Sequence, residues 1–270
     1  MSSHKRETGE IRIMREYDAC AYSYERRSRK HMNIYVYMMQ KFTSEISRVS
    51  PDFKAHFKLK ILDLGTGTGR AISILRERFN QYIALIIGVD ISQNMIKIAK
   101  CRAKDANVSF ILCSAKNLPF RNDLFDVVIS VGMFEYQHDL KEYFDEAYRV
   151  LREGGQFIFN IWNESCITAK VILQASHIFH SIYLTPRRGY KRRDVVKILR
   201  QSRFLPISVN YCFIIPTVIL RFIKCLPLKN IVELSLFWLD KFLCRALGNI
   251  RDFLATQLLI CAIKRKAVQR

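Results

Sequence analysis

The chain has no closely spaced cysteine pair. Its eight cysteines, at 20, 101, 113, 166, 212, 225, 244 and 261, are scattered, mostly inside apolar runs, with no C-x-x-C and no Cys/His cluster. That excludes a zinc site and a disulfide framework and points to a reducing, cytoplasmic compartment. No apolar run reaches the roughly 20 residues needed to span a bilayer. Cys212 to Leu220 is uncharged but short, and Pro216 interrupts it. The first dozen residues are polar and charged, without the apolar core of a signal peptide. The loop that follows Ser130 reads Ser-Val-Gly-Met. It holds no Asn/Asp-Pro-Pro-Tyr run.

Acidic residues are scarce in one third of the chain only. The formal net charge of +20 divides into +6 over residues 1–60, zero over 61–160 and +14 over 161–270, where 19 Lys/Arg face 5 Asp/Glu. A uniformly basic chain would have raised the middle as well. The asymmetry predicts an anionic surface as partner of the flanks. At 270 residues the length prior gives one or two domains and ample chain for a full core.

What is present is concentrated at residues 61 to 70, Ile-Leu-Asp-Leu-Gly-Thr-Gly-Thr-Gly-Arg. A short apolar strand runs through Asp63 into glycines at every second position, Gly65, Gly67 and Gly69. Helical apolar spacing follows at Ala71, Ile72, Ile74 and Leu75. Strand, glycine turn and helix form a nucleotide-type site at the carboxyl edge of a sheet. The dinucleotide fingerprint G-x-G-x-x-G fits poorly, because the third glycine comes one position early and a carboxylate at 63 would repel a pyrophosphate. It suits a ligand carrying a positively charged amino group and a sulfonium.

Tyr82 to Val89 is a continuous apolar run ending in Asp90, the mark of a parallel strand buried on both faces. Asp90 lies 21 residues beyond Gly69. Ser92 then caps an amphipathic helix through Lys100. Val108 to Phe120 reads as a strand and loop, and Phe125 to Tyr136 as a buried strand leading into a loop. Asp139 to Leu151 reads as a helix closed by the glycine cap Arg152-Glu153-Gly154-Gly155, and Gln156 to Trp162 as the next strand.

In this order and spacing, residues 58 to 162 resemble the class I S-adenosylmethionine-dependent methyltransferases, in particular the small-molecule branch that includes the ubiquinone/menaquinone methyltransferases. The resemblance implies an α/β, Rossmann-like sheet of seven strands, six parallel and one antiparallel, with helices on both faces. It implies S-adenosyl-L-methionine as methyl donor, without a metal. Gly65, Thr66, Gly67 and Gly69 would shape the methionine pocket, with Asp63 orienting it electrostatically. Asp90 would hold the ribose hydroxyls, Ile91 would pack on adenine, and Ser114 with Ala115 would meet the adenine edge. Ser130 would end the fourth strand beside the transferred methyl. One departure stands out. The family usually carries Asp at position 114, accepting from the adenine amino group. A neutral serine bond is roughly half as strong, which predicts a weaker hold on the donor.

The resemblance makes residues 1–57 an N-terminal helical lid, 58–162 the donor-binding core and 163–270 a substrate-side cap continuous with it. Tyr17, Asp18, Tyr22 and Tyr24 precede a predicted helix from Lys30 to Val49, and Tyr24 would stack near the methionine end. His138 is the first candidate for a general base, and His177 and His180 lie on a predicted helix within 164–185. Arg187 to Arg193 is the densest basic cluster, suited to anionic headgroups or phosphates. A helix at Asp194–Arg203 and strands at Pro206–Ile215 and Leu254–Ile263 flank an apolar insertion over 216–250. On a helical wheel, Ile231 to Leu247 places Trp238, Leu239 and Phe242 on a wide apolar half and Asp240 on the other. That face fits a membrane surface, a greasy substrate pocket or another subunit. Three functions are compatible with these features. They are methyl transfer to a small or amphiphilic acceptor such as a lipid, quinone or lipid-linked sugar, tRNA or rRNA methylation using the basic flanks, and a non-catalytic adaptor of the same fold.

Overall fold

The computed structural model describes residues 9–29, 32–49, 58–103, 105–167, 170, 188–213 and 250–265, with 235, 238–240, 242, 243, 246 and 247 between them. His177, His180, Arg187 and most of the apolar insertion lie outside the described residues.

Two helices, α1 (Gly9–Arg29) and α2 (Met32–Val49), lead into β1 (Leu59–Leu64), α3 (Arg70–Phe79), β2 (Ile83–Asp90), α4 (Gln93–Arg102), β3 (Val108–Leu112), β4 (Phe125–Ser130), α5 (Lys141–Val150) and β5 (Leu151–Asn163). A two-residue strand β6 (Gly189–Tyr190), α6 (Arg192–Gln201), β7 (Phe204–Cys212), the short α7 (Arg251–Leu254) and β8 (Gln257–Lys264) complete it. The sheet order is β3-β2-β1-β4-β5-β8-β7, with β6 against β5. β1 to β5 pair in parallel, and β8 runs antiparallel to both its neighbours. The expected seven strands, six one way and one the other, are present, and β6 is an addition.

Strand alternation sorts the core into two layers. Ile61, Ile86, Ile129 and Ile158 pack with Met39, Phe42 and Ile46 of α2 and Ile72 and Leu75 of α3. Leu62, Val128, Phe157 and Phe159 pack on the opposite face with Phe144 and Ala147 of α5 and Val195 and Leu199 of α6. The central parallel strands β1, β2, β4 and β5 are therefore apolar on both faces, which is why the sequence shows continuous rather than alternating runs there.

Four expectations need correction. α5 does not end on a glycine cap: it stops at Val150, and Leu151 is already extended at φ −73, ψ 139. Gly154, at φ +73, belongs instead to a bulge where Phe125 pairs with Leu151 but Val127 pairs with Gln156. A Cβ at Gly155 would sit 2.8 Å from the Arg152 carbonyl oxygen. The glycines serve a β-bulge, whose local composition mimics a helix stop. Residues 9–29 are one continuous helix of 21 residues rather than a lead-in. Its low apolar content hid it, although Ile13, Tyr17, Cys20, Ala21 and Tyr24 keep helical spacing. The last strands are also displaced from the expected bounds, beginning at Phe204 and Gln257. Finally, Asp240 is buried. It accepts from the Tyr37 hydroxyl at 2.7 Å and the Phe213 amide at 3.3 Å, while Trp238 and Phe242 are 71% and 65% exposed. The face read as outward is turned in, because the carboxylate finds donors on α2 and after β7.

Candidate active site

The parallel strands deliver their carboxyl ends to one edge, and the loops there surround a cavity of about 680 Å³, its solvent-facing mouth included. Gly65 and Gly67 come from the β1 loop, Val89, Asp90 and Ile91 from the end of β2, and Met95 from α4. Cys113 and Ala115 follow β3, and Val131, Gly132, Met133, Tyr136 and Gln137 follow β4. The remaining wall is α1, through Glu10, Ile13, Tyr17 and Tyr24.

The glycine loop has a specific geometry. Gly65, Gly67 and Gly69 all have positive φ, at 67, 53 and 75, a region that L side chains rarely adopt. At Gly67 an added Cβ would meet nothing within 4 Å, so the loop leaves open space where a side chain would otherwise stand. At Gly69 it would press on Ala99 and Phe110 at 3.2 Å, the close approach of loop to α4 and β3. The Thr66 amide donates to the Val89 carbonyl at 2.9 Å and the Gly67 amide to Asp90 Oδ2 at 2.8 Å. The loop is thereby tied to the end of β2.

Asp90 has two jobs. Beyond facing the cavity, it accepts from Gly67 and, through Oδ1, from the Ser92 amide at 2.9 Å. A carboxylate has about four lone-pair sites, so two stay available to a diol. Burial raises its pKa from the ordinary carboxylate value, while the amide bonds pull the other way. Ser92 caps α4 by accepting from the Met95 amide at 3.1 Å.

Asp63 stands behind the lining, 1% exposed. Its Oδ2 accepts from the Thr66 hydroxyl at 2.8 Å, and its Oδ1 has no hydrogen-bond partner. Burial pushes the carboxyl up to about 7, against the Thr66 bond. A buried half-satisfied carboxylate beside an open glycine loop fits a cationic group supplied from outside.

Besides Asp63, Thr66 and Gly69, three further candidates from the sequence, Ser130, Ser114 and His138, are off the lining. The Ser130 hydroxyl is fully buried and donates to the Leu64 carbonyl at 3.0 Å. It staples β4 to β1, and Val131, Gly132 and Met133 take its place at the cavity. Ser114 lies between two lining residues and donates to Glu10. His138 is exposed, with its pKa lowered by partial burial and the nearby Arg188, and its neighbour Gln137 reaches the cavity instead. In the basic cluster, the Tyr190 hydroxyl donates to the Gln137 carbonyl, so this ring braces the β4 loop. Among the described residues no group of three or more His, Cys, Asp or Glu could hold a metal ion.

Sequence reasoning expected a helical lid over residues 1–57 with Tyr24 near the ligand, but missed the helix that begins at Gly9 and Glu10 in its first turn. α1 is pinned at two places. Asp18 accepts from the Ser92 hydroxyl at 2.9 Å and the Asn94 amide at 2.8 Å, and Glu25 pairs with Arg70 at 2.9 Å and with Arg102. Tyr17 packs edge-on against Tyr136 and Tyr24, with ring centroids 5.4 and 6.1 Å apart.

Residues 62–159 match a family model described as a methyltransferase domain. The chain is 35% identical over 101 residues to a malonyl-[acyl-carrier protein] O-methyltransferase of a Marinomonas species, covering 37% of each chain. It is 30% identical over 135 residues to a ubiquinone/menaquinone biosynthesis C-methyltransferase of Xylella fastidiosa, covering 48% of this chain and 52% of that one. The matched stretches span about half or less of these relatives' length. Among solved structures, a chain of the complex between the Haloferax volcanii Trm112 methyltransferase activator and a methyltransferase superposes with a TM-score of 0.61 at 18% identity, covering 96% of this chain and all of that one. Residues 62–159 thus match a methyltransferase-domain model, on a sheet order and glycine loop already described and a fold shared with that solved structure.

Proposed function

We propose that the chain is an S-adenosylmethionine-dependent methyltransferase acting on a small or amphiphilic acceptor of lipid, quinone or lipid-linked sugar type, at or near a membrane surface. One observation carries the donor half. A single cavity gathers the open glycine loop, the Asp90 carboxylate, Ile91 and Ala115, and the half-satisfied Asp63 is buried behind that loop, bonded to Thr66. When bound, the donor supplies an electrophilic methyl carbon on its sulfonium.

The residues present fit that molecule. Asp63 would take the ammonium of its methionine part, directly or through Thr66 and the loop amides. Asp90 would accept from the two ribose hydroxyls, and Ile91 and Ala115 would flank the base. Tyr17, Tyr24, Tyr136 and Met133 line the cavity with an aromatic and thioether surface, which excludes water from the reacting centre. Holding two reactants in line can itself supply several kcal/mol of rate enhancement.

The acceptor half rests on different support. The relatives' printed names concern a malonyl-acyl-carrier and quinones. The exposed Trp238, Phe242, Ile250 and Phe253 form apolar surface on the most basic third of the chain. Aromatic and basic groups together favour an anionic interface. Among the described residues no helix is long and apolar enough to cross a membrane.

Calorimetry with S-adenosylhomocysteine tests the donor half, and absence of binding at millimolar ligand would refute it. Sedimentation with anionic and neutral liposomes, beside an RNA shift titrated with salt, tests the acceptor side. Selective pelleting with anionic vesicles is expected, and tight RNA binding without it would favour a nucleic-acid substrate.

The acidity of Asp63 gives a further expectation. With a carboxyl near 7, only its ionised form attracts an ammonium, so donor affinity should rise about fivefold from pH 6 to pH 7. Asp63→Asn should flatten the profile. The stability sign is opposite. A carboxyl raised above its unfolded value contributes stability below about pH 4 that is lost as pH rises through 7. The ligand-free protein should therefore gain melting temperature at pH 8 on Asp63→Asn. A wild-type profile flat across pH 6 to 7 would refute this role.

A further inference from the structure

Position 114 is where a carboxylate at the adenine edge is missing. The serine there cannot replace it. Its hydroxyl proton is spent on Glu10, and one of its lone pairs accepts from the Lys116 amide at 3.1 Å. What stands beside it is the Glu10 carboxylate, carried from 104 residues away by the first turn of α1 and lining the same cavity as Ala115 and Ile91.

We propose that Glu10 is the acceptor for the exocyclic amine of the donor's purine, so that this chain reads adenine from its roof helix rather than from the loop after β3. The proposal rests on the donor-site reading above. Three features carry it. First, only one of the carboxylate's roughly four lone-pair sites is taken by Ser114, so the others remain for a ligand N–H. Second, the serine becomes intelligible. An Asp at 114 would place two carboxylates within hydrogen-bonding distance, and like charges that close cannot both ionise. A hydroxyl donating to Glu10 instead fixes its rotamer and leaves the charge single. Third, α1 runs the length of the cavity. Glu10 and Tyr24 both line it and lie 14 residues apart, about 21 Å along a helix. Glu10 is beside the β3 loop, and Tyr24 lies toward the Arg70 and Arg102 anchor of Glu25. Reading the base with Glu10 therefore makes base identity a condition for the roof to sit closed. The usual arrangement, with the acceptor on a sheet loop, has no such coupling.

The test uses the full-length chain and two ligands that differ in one group, S-adenosylhomocysteine and S-inosylhomocysteine. The latter presents a 6-oxo acceptor where the former presents an amine. Because a hydrogen bond to a charged group is worth a factor on the order of 10 to 100, the wild-type protein should prefer the adenosyl ligand by about 100-fold in calorimetry. Glu10→Ala should weaken the adenosyl ligand at least tenfold while leaving the inosyl ligand unchanged or tighter. Adding Ser114→Asp to Glu10→Ala should restore the preference by returning a carboxylate to the loop. Equal losses for both ligands in Glu10→Ala would reduce Glu10 to a roof latch and overturn the proposal, as would no loss for either. Circular dichroism of the variants confirms folding. If the wild-type chain bound neither ligand at millimolar concentration, the donor-site reading itself would fail, a result distinct from loss of discrimination alone.

Discussion

Asp90→Ala is expected to reduce affinity for S-adenosylhomocysteine by on the order of 10³-fold, read by calorimetry. Two charge-assisted bonds to a diol, at about 1.5–3 kcal/mol each, set that scale. The carboxylate does more than meet ligand, however. It holds the amides of Gly67 and Ser92, so removing it leaves two buried donors unpaired and loosens the glycine loop from β2. A stability loss of about 1–3 kcal/mol should follow. The loss is limited because the buried carboxylate is itself held against a desolvation penalty, visible as its raised pKa. Asp90→Asn separates the two roles. It keeps an acceptor for one amide, so stability should fall less than in the alanine variant, while binding still drops at least tenfold from the lost charge. Wild-type affinity in Asp90→Ala would refute the ribose assignment.

Gly65→Ala is expected to damage both folding and binding for reasons that can be separated. Its φ of +67 alone costs an L residue about 1–2 kcal/mol. An added Cβ would also lie 2.7–2.8 Å from three side-chain atoms of Met133, one of them Cβ, too close to the backbone for a simple rotamer change to relieve. Overpacking of this kind adds about 1–3 kcal/mol. Met133 sits on the cavity wall, so displacing it should also lower donor affinity. Met133→Ala in the same chain removes the Cγ and Sδ contacts but keeps Cβ, so it should recover only part of the steric cost and leave the backbone part. Chemical denaturation of the four proteins measures this, with a coupling of about 1 kcal/mol or more between the two sites expected. Strict additivity would mean the loop moves away from the β4 segment instead.

How much of this was legible depended on how local the causes were. The β1 loop, Asp90 and the Ser92 cap could be read because turn, acid and helix start are encoded within a few residues of one another. The β-bulge at Gly154 was misread because a glycine pair after an amphipathic helix looks the same whether it terminates the helix or kinks the next strand, and only pairing with Phe125 and Val127 decides. Glu10 was invisible for a stronger reason. Its significance arises from contact with a residue 104 positions away, and no spacing rule reaches that far. Asp240 failed similarly, because its partners Tyr37 and Phe213 are distant in the chain. The donor side is therefore written in short range and the roof in long range.

The placement of β8 carries a consequence for biosynthesis. Among the described strands it comes last in the chain, yet it lies between β5 and β7 and pairs with both along most of its length. During translation, β5 and β7 must wait with unsatisfied hydrogen-bonding edges and with Phe157 and Phe159 uncovered by Leu258 and Ile260 until residue 264 has emerged. Unpaired edges of this kind are templates for intermolecular pairing. The nascent chain is thus open to aggregation between the emergence of β5 and that of β8, after the donor-side loops are already assembled.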